Sequence, residues 1–262
     1  MFASDMINRK NLGRYYDILL TLTQKELRVR YKSYALGYIW SLVQPIAFAS
    51  VFYFAFKVAL RVSVENFVFF LLAGLFPWQW FANSVNAAPL SFLNNASIIK
   101  KVAFPRHIVV VSIVLQDAIH FLLSVPIIAV VAVAYRKPPS LLWLVGVPVL
   151  AVLQMAFLIG VSLAVSSVNM FFRDLERLTS LLMMLLFYFT PIVYSDAQIP
   201  ARLRPYLFLN PAAGLAVGWR SLFMEGRLNL HAIAWTTAHA AFALLIGSLV
   251  YRRLSRKFAE AL

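Results

Sequence analysis

Apolar residues fill long continuous runs along this chain, and polar or basic residues crowd into the short gaps between them. The runs predict six membrane spans, at about 36–58, 67–90, 108–134, 141–170, 178–194 and 233–250. A bilayer core about 30 Å thick needs roughly 20 apolar residues per helix, so each run suffices. Their continuity, without alternation, excludes a membrane β-barrel. Pro45 lies inside the first run, and Gly74-Leu75-Phe76-Pro77-Trp78 is expected to break the second. The predicted fold class is an all-α integral membrane protein. It has six transmembrane helices, an N-terminal amphipathic interfacial helix, and short re-entrant external helices between spans five and six. A single domain covers 1–262: the interfacial helix at 1–33, spans one to five at 34–194, an external segment at 195–230, and span six with its tail at 231–262.

The gaps carry their own patterns. Asn8 or Asn11 caps a first helix that runs to about Lys32, with Tyr15, Ile18, Leu19 and Leu22 as an apolar stripe and basic residues after it. Such a helix lies on a membrane surface, or packs against another subunit or a partner. Between spans two and three, Ser91 to Arg106 is polar and basic. Asn94, Asn95 and Ser97 are helix-start residues, and Pro105 closes the segment. Ile98, Ile99 and Val102 fall on one side of that helix, Lys100 and Lys101 on the other. Nothing in the stretch buries the apolar face. It reads either as a docking helix for a second protein or as a loop helix at the lipid headgroups. Beyond span five, Pro200, Pro205 and Pro211 are breakers. Asn210 and Pro211 start a helix with Leu215, Trp219, Leu222 and Phe223 that runs to about Met224 and stops at Gly226. It is too short to span, and predicts half-helices that dip into the outer leaflet.

Composition agrees with the pattern. The chain of 262 residues is 62% hydrophobic and 13% charged, against about 45–50% and about 25% in soluble domains. A net charge of +14 would point to nucleic acid in a soluble protein. Here the excess sits beside apolar runs, where it sets topology and attracts anionic lipid. Of 24 Lys and Arg, sixteen lie in the N-terminal segment (seven), 91–106 (three), 173–177 (two) and the tail (four). The remaining eight fall on the opposite side. The positive-inside rule then places both termini and the 91–106 helix in the cytoplasm. The absence of cysteine excludes disulfides and thiolate metal sites. The N-terminus is too charged for a cleaved signal peptide.

No enzyme site shows itself: no phosphate-binding loop, no zinc-protease helix, no nucleophile elbow. The four histidines, His107, His120, His231 and His239, are scattered, with no carboxylate at ligand spacing. No catalytic residue, metal site or cofactor is therefore expected in this chain. Asp117 is the one acid inside a span, with His120 one turn on. It is either a functional group, as intramembrane acids are by default, or an interhelical hydrogen-bond partner. Aromatics are abundant, with 22 Phe, 11 Tyr and 6 Trp. Mid-span clusters at Tyr38, Phe48, Phe52, Tyr53 and Phe56 and at Phe187, Tyr188, Phe189 and Tyr194 either face lipid and core or line a path. Phe48, Phe52 and Phe56 fall on one helical stripe. Rings suit the apolar faces of sugars and offer no tight polar site to stall a polymer.

Several stretches together resemble the ABC-2 type permeases that export polysaccharides. Lys25-Glu26-Leu27-Arg28-Val29-Arg30-Tyr31-Lys32, then Leu36-Gly37-Tyr38-Ile39-Trp40 and Gln44-Pro45, are similar to the entry of span one. Ile98 to Arg106 is similar to the cytoplasmic coupling segment. Arg173-Asp174, Thr190-Pro191-Ile192-Val193-Tyr194, Ile199-Pro200 and Leu209-Asn210-Pro211 are similar to the fifth span and external gate. The match runs nearly end to end, closest to O-antigen exporters, with capsule and teichoic acid permeases sharing much of the pattern. The resemblance implies a homodimer in the bacterial inner membrane with two ATP-binding subunits that hold ATP and Mg²⁺, and a glycan on undecaprenyl diphosphate as substrate. It implies coupling through Asn94, Ile98, Ile99, Lys100, Lys101, Val102, Phe104, Pro105, Arg106, Arg173 and Asp174. It implies headgroup contact at Arg28, Arg30 and Lys32, and an external gate at Pro200, Asn210, Pro211 and Trp219. A proton-coupled flippase built on Asp117 and His120 is the main rival, and a scaffold that carries nothing is the second.

Overall fold

The computed structural model describes residues 9–31, 40–59 and 65–258, and every regular element among them is a helix. Helix α1 is Arg9–Tyr31. Helix α2, Trp40–Phe52, continues as a π-helix over Tyr53–Ala59. Then come α3 (Phe67–Ala87), the short α4 (Ser91–Asn94) and α5 (Ala96–Lys101), α6 (His107–Ala134), α7 (Trp143–Asn169) and α8 (Leu175–Phe189). After two 3₁₀ turns, α9 is Pro211–Glu225 and α10 is Leu230–Leu254. Tyr38 and Lys32 lie outside the described residues, as do the side chains of Arg30 and Phe56.

Four of these helices, α3, α6, α7 and α10, are long and apolar enough to cross a membrane. Two expectations change here. Helix α3 is not broken at 74–78; it continues through Pro77. Proline forfeits one backbone bond and crowds the preceding turn. Close packing on all sides holds the helix, with Phe69, Phe70, Leu71, Leu75, Phe76 and Trp80 all buried. Helix α8 starts earlier than the expected fifth span and stops at Phe189, because Thr190 precedes Pro191 and takes an extended conformation (φ −95°, ψ 137°). Its 15 residues reach only about 22 Å at 1.5 Å per residue.

The apolar side chains form two separate cores. The larger one surrounds α3 and draws on α6, α7, α9 and α10. The smaller one gathers Leu22 of α1, Phe92 of α4, Ile99 of α5, Ile108, Val109 and Val110 of α6, Leu163 and Met170 at the end of α7, and Phe258 beyond α10. The two lie toward opposite ends of α3, whose start meets α9 and whose end leads into α4. Helices α7 and α10 cross where side chains are absent. A Cβ on Gly247 would lie 2.0 Å from the Gly160 carbonyl oxygen, and one on Gly160 would lie 2.3 Å from the Ala243 backbone. The helix axes approach as closely as backbone allows.

Local chemistry fixes α9. Asn210 accepts a hydrogen bond on Oδ1 from the Ala212 N–H (3.0 Å), Pro211 fills the first turn, and Gly226 ends the helix with φ 63°. Every residue from Ala212 to Phe223 is buried.

Candidate functional site

Polar contacts concentrate at the two ends of the bundle. At the α4–α5 end, Asn95 is 2% exposed and knits the turn together. Its Nδ2 donates to the Ser91 carbonyl (3.0 Å), and its Oδ1 accepts from Lys25 Nζ on α1 (2.5 Å). Lys25 also pairs with Glu26 at 3.1 Å. Arg14, about three turns back along α1, donates to the Ala103 carbonyl (3.2 Å). Helix α1 thus grips the 91–106 segment at both ends. Asn169, fully buried, donates to the Pro89 carbonyl (2.9 Å) and fastens the end of α7 to the same turn.

This clasp changes the reading of the amphipathic segment. Ile99 is buried in the chain's own smaller core, and Ile98 packs half-buried against it. The apolar face needs no second protein, because the α1 stripe of Tyr15, Ile18, Leu19 and Leu22 joins the same core. Asn94, Ser97, Lys100, Lys101 and Val102 stay exposed, while Phe104, Pro105 and Arg106 are half-buried. Arg173 and Asp174 are exposed on the neighbouring loop. The surface these loops leave open is largely polar and basic, with Val102, Phe171 and Phe172 as exposed apolar side chains. Arg28 of α1 is exposed as well.

Asp117 is buried on α6, and its Oδ2 accepts a hydrogen bond from Ser84 Oγ on α3 (2.9 Å). A turn away, Trp80 Nε1 donates to the Val114 carbonyl (3.2 Å). The acid joins two helices inside the bundle, with His120 half-buried nearby.

At the opposite end, α9 is tied in by side chains that the sequence pattern did not single out. Gln154 of α7 is fully buried. It donates to the Pro77 carbonyl (2.9 Å) and accepts from Trp219 Nε1 (2.7 Å), joining α3, α7 and α9 through one amide. Arg220 is 8% exposed; one N–H donates to the Ile192 carbonyl (3.0 Å), and the guanidinium stacks over the Phe70 ring at 3.7 Å. Among the described residues its Nε and Nη1 have no acceptor. Trp143 Nε1 donates to the Leu222 carbonyl (2.9 Å), and Asn210 Nδ2 donates to Thr190 Oγ1 (3.0 Å). Of the expected gate residues, Trp219 is buried, Asn210 and Pro211 are half-buried, and Pro200 is exposed. A small, partly open pocket between Gly74, Trp78, Gln154 and Ala212 has room for about one water, about 10 Å³.

The aromatic clusters meet along one flank. Phe48 stacks on Phe52 of the same helix at 6.5 Å, and Phe52 contacts Phe187 of α8 at 5.7 Å. Phe187 also meets Trp78 of α3 at 5.6 Å and Tyr188 at 5.4 Å. Phe52 and Phe187 are half-buried in this contact, while Phe48, Tyr53, Tyr188 and Phe189 are exposed. Tyr194 is half-buried, and its hydroxyl donates to the Tyr188 carbonyl (3.2 Å).

The described residues thus form an all-helical bundle with buried polar joints, an exposed aromatic flank and four helices long and apolar enough to cross a membrane. Residues 18–224 match the family model of the ABC-2 type transporter. Over 252 residues the chain is 44% identical to the O-antigen export system permease protein RfbA of Klebsiella pneumoniae, covering 96% of this chain and 97% of that one. The protein of the same name from Myxococcus xanthus is 30% identical over 97% of this chain and 98% of its own. The polysialic acid transport protein KpsM of Escherichia coli is 22% identical over 87% of this chain and 90% of its own. This chain belongs to the ABC-2 type transporter family.

Proposed function

We propose that this chain is the membrane permease of an ATP-driven exporter that carries lipid-linked O-antigen polysaccharide from the cytoplasm to the periplasm. The observation that carries the reading is the end-to-end likeness to the Klebsiella O-antigen permease at 44% identity. The capsule-type relative stands at half that identity.

Six spans follow if α2 with its π segment, and α8, cross beside the four long helices. Two copies then face each other, and the open flank of α2 and α8 becomes the tunnel wall, with Tyr38, Phe48, Phe52, Tyr53, Phe56, Phe187, Tyr188 and Tyr194 as its rings. A polymer rich in hydroxyls cannot cross hydrocarbon with those groups unsatisfied, so a shared tunnel is required. With both termini cytoplasmic, the polar surface of Asn94, Lys100, Lys101, Val102, Arg173 and Asp174 meets two nucleotide-binding subunits. Those subunits bind ATP and Mg²⁺ and perform the hydrolysis, and this chain supplies no catalytic group. Helix α1 lies at the inner interface, where Arg28, Arg30 and Lys32 receive the diphosphate headgroup. Helix α9 and the turns before it dip into the outer leaflet as the gate.

The test is complementation of a strain that lacks its own permease, with this chain and its partner ATPase, read as surface polysaccharide, together with proteoliposome transport. Export is expected to require ATP and a hydrolysis-competent partner. Transport that follows a pH gradient without ATP would overturn the reading in favour of a proton-coupled flippase using Asp117 and His120.

A further inference from the structure

The described tail of this chain holds an exception to its own pattern. The last turn of α10 and the residues just past it carry exposed basic side chains: Arg252, Arg253, Arg256 and Lys257. The chain then turns through a 3₁₀ segment at Ser255–Lys257, and Phe258 is 0% exposed. A phenylalanine in a basic tail belongs to no membrane span, so lipid does not account for its burial.

Its contacts come from separate parts of the fold. The Phe258 ring lies 5.0 Å from Phe92 of α4, 6.2 Å from Tyr251 of α10 and 6.3 Å from Phe171 in the loop after α7. The Arg106 guanidinium covers the ring at 5.9 Å, and Arg106 Nη1 donates to the Ser255 carbonyl (3.3 Å). One ring therefore touches the segment between α3 and α6, the loop between α7 and α8, and the end of α10. These two loops expose the polar residues that form the partner surface. They are distant in sequence, and the Asn169–Pro89 bond is a second tie between the end of α7 and the turn before α4.

Resting on the reading of this chain as a permease driven by a separate ATPase, we propose that Phe258 is the positioning residue that locks both partner-facing loops into one rigid block. A displacement applied at either loop then reaches α6, α7 and α10 together. Without the ring, the buried Phe92 faces a void, the half-exposed Phe171 loses its inner contact, and a push on one loop is absorbed as loop motion. ATP would still be hydrolysed, because the nucleotide site is in the other subunit, but the work would not reach the spans.

The absence of native cysteine makes the test direct. Spin labels on Ser97→Cys and Phe172→Cys, both exposed positions, report the distance between the two loops in the assembled complex. With Phe258 present, one narrow distance is expected, unchanged between nucleotide-free and ATP-trapped states. In Phe258→Ala the distribution is expected to broaden. Export is expected to fall at least about tenfold while ATP hydrolysis stays within about twofold, and Phe258→Leu is expected to recover part of the export. A merely structural role would lower both activities and the yield together. If the distance changes with nucleotide in the unsubstituted background, or if Phe258→Ala exports normally, the proposal is overturned. Should Phe258→Ala fail to assemble, the distance with Phe258 present still decides. Failure of ATP-driven export by the unsubstituted complex would sink the exporter reading instead, which keeps the two outcomes distinct.

Discussion

Gln154 shows how a single amide can organise an apolar environment. It satisfies the indole N–H of Trp219 and reaches the Pro77 carbonyl, and all three residues are buried. Removing one partner leaves the other orphaned, whereas removing both leaves little unsatisfied. Gln154→Leu alone should therefore cost about 1–3 kcal/mol. The double variant Gln154→Leu with Trp219→Phe should recover a large part of it, read by thermal unfolding in detergent. Equal losses in single and double variants would show that the amide bond does not matter. The sequence marks Trp219 as part of a helix and leaves Gln154 as one polar residue in a long run, because periodicity reports faces and not partners. Arg220 was hidden in another way. A cation within the predicted 211–224 helix, it is buried with its guanidinium on Phe70, a placement that depends on which helix α9 meets. Ile99 errs in the opposite direction. Its helical face was visible, but what covers that face is α1, some 70 residues earlier.

At the level of elements, local rules worked where one residue dictates the backbone. Asn210, Pro211 and Gly226 mark both ends of α9, and the structure keeps those ends. Proline inside a run was less informative. Pro77 is absorbed within α3, while Pro191 acts on the residue before it and ends α8. The difference lies in packing: α3 is surrounded by the larger core, whereas most of the large α8 side chains are exposed. The α7–α10 crossing is likewise invisible to hydropathy, since glycine in an apolar run signals only a weak helix. A side chain on Gly247 has no space, as its Cβ would lie 2.0 Å from a backbone oxygen. Gly247→Val should cost at least about 1–3 kcal/mol, the usual range for overpacking. Gly13→Ala, with nothing within 4 Å, should be neutral or slightly stabilising. Purified yield and unfolding temperature in detergent check both, and an unaltered Gly247→Val protein would contradict the crossing.

For the whole molecule, exposed rings line the α2–α8 flank, and the proposed path shared by two copies can be tested there. Phe48→Ala with Tyr188→Ala should shorten the exported chains while assembly and ATP hydrolysis persist, measured as the length distribution of surface polysaccharide. Cysteines placed along this flank should react with water-soluble reagents during turnover; reaction with lipid-dissolved probes alone would assign the flank to lipid. The runs predict six spans, and four of the described helices are long and apolar enough to cross a membrane. Helix α8 stops at Phe189, and helix α2 passes into a π segment at Tyr53, features that hydropathy along a run does not report. The closure of α7 on α10 has a mechanical consequence. Two helices in backbone contact at Gly160 and Gly247 cannot slide a turn past each other without a collision. They behave as one beam of double width, and bending stiffness rises steeply with width. A machine that pushes a long, dragging polymer loses work wherever its frame yields. In this fold the least covered helices are α2 and α8, and the beam behind them takes the recoil.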